Sequence, residues 1–103
     1  MSEIIPVNFK LRKRIVSLLD VRIDPFTKAV TLGKLGKLAR RRGDLDAAEK
    51  FYKQSLSLNK NLGCKEGIWG NYRNLASLEK VRGNPEVALG YWIKAMLKRY
   101  LCG

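Results

Sequence analysis

The chain has 103 residues, enough for one domain, and its 46% apolar content is that of a folded globular protein rather than a disordered one. Lysine and arginine number 21 against 9 aspartates and glutamates, a net charge of +12 that predicts attraction to a polyanion or an acidic protein surface. Histidine is absent, which excludes histidine-based acid–base and triad chemistry, and two widely spaced cysteines (Cys64 and Cys102) form neither a disulfide framework nor a zinc site.

In chain order, five stretches carry helical periodicity and none reads as a strand. The opening Met-Ser-Glu-Ile-Ile-Pro-Val lacks the pattern of a secretory signal. Over 8–21, Leu11, Ile15, Leu18 and Leu19 share one helical face, with Lys10, Arg12, Lys13 and Arg14 around it. Asp24-Pro25 then gives a capping aspartate and an N1 proline, opening a helix over 25–42 whose inner stripe is Leu32, Leu35, Leu38 and Ala39. Arg40, Arg41 and Arg42 suit its negative C-terminal end, and Gly43 stops it.

Asp44 caps the third helix, which carries Ala47, Ala48, Phe51, Tyr52, Leu56 and Leu58 and turns at Asn61-Leu62-Gly63. The fourth spans 65–82, with Ile68, Trp69, Tyr72, Leu75 and Leu78 inside. After Gly83, Asn84-Pro85 repeats the cap-and-proline signal. The fifth spans 85–101 and carries Val87, Ala88, Tyr91, Trp92, Ala95, Met96 and Tyr100. No window holds the run of about 18 apolar residues that a membrane span needs, so the expected location is cytoplasmic.

Gly43 and Gly83 stand forty residues apart, and on that offset Leu35 matches Leu75, Leu38 matches Leu78, Arg42 matches Arg82 and Ala48 matches Ala88. A fixed period means stacked supersecondary units. The two-residue joints at Gly43-Asp44 and Gly83-Asn84 make each unit an antiparallel helical hairpin. Small residues let the two helices approach, with Gly36 or Ala76 expected against Ala48 or Ala88.

These residues resemble the tetratricopeptide repeat. One copy is Leu32, Leu35-Gly36, Gly43-Asp44, Ala48, Tyr52 and Ser55; the other is Tyr72, Leu75-Ala76, Gly83-Asn84, Ala88, Trp92 and Ala95. The period exceeds the family's usual length of about 34, and Asn61 to Gly67 looks like the joint of a longer-repeat subtype. The family's mid-helix aromatic is replaced by Ala39 and Glu79, and its closing proline by Lys60 and Tyr100. The resemblance implies an all-α fold, a short right-handed solenoid of about five helices. Residues 1–24 would be an N-terminal capping helix, 25–63 the first repeat and 64–103 the second.

The resemblance also implies a site. Family members bind ligands on the concave face made by the first helix of each hairpin. Here that face carries Gly33, Lys37, Arg40 and Arg41, then Arg73, Asn74, Ser77 and Lys80. Five cations there suit an acidic peptide or protein segment. The expected function is therefore a non-catalytic protein–protein interaction scaffold with no cofactor and no metal. The alternative is nucleic-acid association, with Lys10, Arg12, Lys13, Arg14, Lys94, Lys98 and Arg99 touching phosphates. Gly33-Lys34-Leu35-Gly36-Lys37 lacks phosphate-loop spacing and reads as repeat packing. Asp44, Asp46, Glu49, Glu79 and Glu86 read as caps and surface charges. The last helix is apolar where a terminal repeat is normally polar, so Tyr91, Trp92, Met96, Leu97, Tyr100 and Leu101 are candidates for homodimer contact.

Overall fold

Each helix boundary follows from local chemistry. The computed structural model describes residues 23–100, and within them the fold is all-helical: α1 (Pro25–Arg41), α2 (Leu45–Leu62), α3 (Lys65–Val81) and α4 (Pro85–Tyr100). The first predicted helix, residues 8–21, lies outside the described residues, as do Leu101 and Cys102, so four of the five expected helices are on view.

Asp24 starts α1 with its carboxylate accepting from the Thr27 backbone N–H (2.9 Å) and hydroxyl (2.8 Å). Those bonds hold its pKa below the usual aspartate value, the backbone bond contributing most. Asp44 starts α2 by accepting from the Ala47 N–H at 3.1 Å. The three turns close alike. The N–H of Asp44, Cys64 and Asn84 reaches back five residues to the carbonyls of Ala39 (2.9 Å), Asn59 (3.0 Å) and Glu79 (2.8 Å). Each turn needs a left-handed residue, supplied by Gly43 (φ 83°), Gly63 (φ 66°) and Gly83 (φ 83°).

Helices α1 and α2 pair as one hairpin and α3 and α4 as another, joined mainly by α2 against α3. The core lies at that joint, where Ala39, Ala48, Tyr52, Leu75 and Leu78 are buried, with Leu45, Phe51, Leu56 and Tyr91 packed around them. Side-chain bonds tie the joint together. Asn59 Nδ2 donates to Asn71 Oδ1 at 2.6 Å, and both residues are buried. Within the first hairpin, the buried Ser55 hydroxyl donates to the Ala29 carbonyl at 2.7 Å.

Two expectations about packing need correction. Leu35 and Leu38 were placed in the inner stripe, yet they are 39% and 46% exposed, while their repeat mates Leu75 and Leu78 are 1% and 0% exposed. The periodicity is the same, but only α3 has a preceding hairpin against it among the described residues. Gly36 also packs closely on Tyr52: a Cβ there would lie 2.5 Å from the tyrosine ring. Glu79 is not a surface charge. It is buried (6% exposed), accepting from Arg82 Nη1 at 3.0 Å and from Asn84 Nδ2 at 2.9 Å. Arg82 also donates to Glu49 and to Asp46 (2.7 Å), so one guanidinium gathers three carboxylates from α2 and α3.

Candidate functional site

Helices α1 and α3 are the first members of their hairpins and lie side by side, and the face they share holds most of the residues singled out in the sequence. Arg40, on the last turn of α1, donates from Nη1 to the Ser77 hydroxyl of α3 at 2.6 Å. This contact crosses from one repeat to the next. Lys37, one turn before Arg40, is exposed, as is Arg41.

One helical turn further toward the N-terminus, Gly33 of α1 and Asn74 of α3 line a common cavity of about 510 Å³. Phe26 and Val30 form its α1 wall, Gly70 lies on its α3 side, and Ser55 and Asn59 reach it from α2. Glycine at 67 is required by close approach, because a Cβ there would fall within the Asn59 side chain. The cavity therefore has apolar walls with amide groups from Asn59, Asn71 and Asn74.

The five expected cations lie outside this cavity's lining. Among the described residues, no lysine or arginine lines the cavity, and Glu66 does. The cations stand at its C-terminal end, where Arg40 meets Ser77. Arg73 is exposed but turned toward α4: its guanidinium lies 4.5 Å from the Trp69 ring centroid and 5.8 Å from that of Trp92. Lys80 is exposed on the last turn of α3. Of the seven predicted residues, Arg40 and Ser77 touch, Asn74 enters the cavity, Lys37 and Arg41 flank Arg40, and Arg73 and Lys80 stand apart. Sequence reasoning missed Phe26, Val30, Asn59 and Asn71. Asn71, inside α3, was the available signal, since a helix interior disfavours asparagine unless its amide is bonded.

The candidates on the last helix divide as well. Trp92, Met96, Leu97 and Tyr100 are exposed, at 41%, 53%, 45% and 67%. Tyr91 is half-buried and stacks on Tyr72 with 6.2 Å between centroids. Cations surround these rings: Arg99 lies 4.5 Å from the Trp69 centroid, and Lys94 lies 5.7 Å from that of Tyr91. Lys98, Arg99, Trp69 and Gly70 line a second cavity of about 530 Å³.

Three buried or paired groups here titrate away from their ordinary values. Burial raises the Tyr52 phenol, whose hydroxyl has no hydrogen-bond partner among the described residues. Bonds from Lys53 and then Arg82 lower Glu49, and the same bond with Glu49 raises Lys53. No helix of the described residues is long and apolar enough to cross a membrane. Comparison with protein-family models, characterised proteins and solved structures yields no match.

Proposed function

We propose that the chain is a non-catalytic interaction scaffold of the tetratricopeptide kind, holding an acidic protein segment along the face shared by α1 and α3. The observation that carries this reading is the Arg40–Ser77 contact, which joins the faces of both repeats beside an apolar, amide-lined cavity. Lys37, Arg40 and Arg41 supply charge-assisted bonds to carboxylates. The cavity between Phe26 and Gly70 takes an apolar side chain, and Asn74 bonds the ligand backbone. At a rise of about 1.5 Å per residue, Phe26 and Arg40 lie about 21 Å apart along α1. An extended chain covers that span in about six residues. The preferred ligand thus has an apolar residue followed, about six positions away, by acidic ones.

The test is a titration with a glutamate-rich peptide carrying one leucine, run beside single-stranded oligo(dT). Lys37→Glu with Arg40→Glu should weaken peptide binding by more than about tenfold, as removing charge complementarity does. Replacing Lys10, Arg12, Lys13 and Arg14 by alanine should leave it unchanged. The reverse pattern, with oligo(dT) bound and lost on the N-terminal change, would favour the nucleic-acid alternative.

A further inference from the structure

The two ends of the stack match each other, and the forty-residue repeat specifies how. At the inner joint, Tyr52 and Leu56 of α2 pack in one cluster with Leu75 and Leu78 of α3, and Asp46 pairs with Arg82 at 2.7 Å. Forty residues on from the α2 set stand Trp92, Met96 and Glu86 of α4. Forty residues before the α3 set stand Leu35, Leu38 and Arg42 of α1. Every one of these six is exposed among the described residues.

We propose that a second copy of this chain docks its α1 on α4, repeating the α2–α3 joint between molecules, so that copies stack head to tail. Leu35 and Leu38 of the incoming copy cover Trp92 and Met96, and its Arg42 faces Glu86 as Arg82 faces Asp46. A further position supports the match. In the inner joint, Glu49 and Glu79 both bond Arg82. Their counterparts are Leu89, exposed on α4, and the already buried Ala39, so no such carboxylate stands at the new joint. A symmetric contact of α4 with α4 is disfavoured, because the helix carries Lys94, Lys98 and Arg99 against Glu86 alone and would set like charges together. A head-to-tail contact does not close on itself, so the product is an open stack. With +12 on each copy, salt strengthens the association by screening. The proposal rests on the stacked-repeat reading and is independent of what the α1–α3 face binds.

Sedimentation of the full chain tests it at low and at high salt. Wild type should gain mass with concentration, more so at high salt. Leu38→Glu spoils one end and Met96→Glu the other. Each should stay monomeric alone, and an equimolar mixture should give a dimer and nothing larger. A monomeric wild type, continued association of either variant alone, or a monomeric mixture would each overturn the proposal. So would a large fall in melting temperature for Leu38→Glu, which would mean that residues 8–21 already cover α1. At high salt, where charge is screened, Lys37→Glu with Arg40→Glu should still associate, which separates this test from that of the peptide face.

Discussion

Asn59 and Asn71 meet amide to amide at 2.6 Å inside the joint between the hairpins, and Gly67 packs directly against the Asn59 side chain. A buried amide that loses its partner keeps its desolvation cost. Asn71→Ala should therefore lower stability by about 1–3 kcal/mol in urea unfolding. Replacing both asparagines by leucine should cost less than the single change, since no polar group is then stranded.

Glycine positions give a paired prediction. Gly36→Ala puts a methyl 2.5 Å from the Tyr52 ring and should destabilise by about 1–3 kcal/mol, the usual cost of overpacking. Gly70 has nothing within 4 Å of an added Cβ and lies inside α3, so Gly70→Ala should stabilise by about 0.5–1 kcal/mol. Equal effects at the two sites would contradict the packing described for α1 and α2.

The Arg82 network predicts an asymmetry between repeat mates. Arg82→Ala leaves the buried Glu79 with Asn84 alone and no cation, and should cost about 2–4 kcal/mol, towards the range for breaking a buried pair. Arg42 is exposed and has no ion-pair partner among the described residues, so Arg42→Ala should stay within about 0.5 kcal/mol in the isolated monomer. Thermal melts of the two variants read the difference.

The direction of the pH response follows from the same groups. Glu49 and Asp24 have lowered pKa values, so their stabilisation is present above the ordinary carboxylate range and is lost as pH falls through the lowered values. Lys53 and Tyr52 have raised values, so their contribution is present below the unfolded values and is lost as pH rises through the folded ones. Stability measured across pH should fall at both extremes, and Glu49→Gln should flatten the acid limb.

Much of this fold could be read from residue types because its boundaries are set locally. Asp24-Pro25, Gly43-Asp44, Gly63 and Gly83 act through caps and left-handed turns that need no tertiary context, and each helix begins or ends at them. What lies across from a helix was not readable. Leu35 and Leu75 have the same helical setting, and only the neighbouring hairpin distinguishes an exposed leucine from a buried one. Glu79 looked like a surface charge because Arg82 and Asn84, which make its burial tolerable, act through the folded turn. In the site, the cationic end was visible as Lys37, Arg40 and Arg41. The cavity was not, since Phe26, Asn59 and Asn74 come from three helices and meet only after stacking.

On the proposed function, the α1–α3 face receives an acidic segment. Amide chemical-shift mapping with the glutamate-rich, single-leucine peptide tests it most directly. Shifts should cluster at Gly33, Lys37, Asn74 and Ser77, with the Trp69 and Trp92 indoles unmoved. Shifts confined to Trp69, Arg99 and their neighbours, or no shifts at saturating peptide, would contradict it.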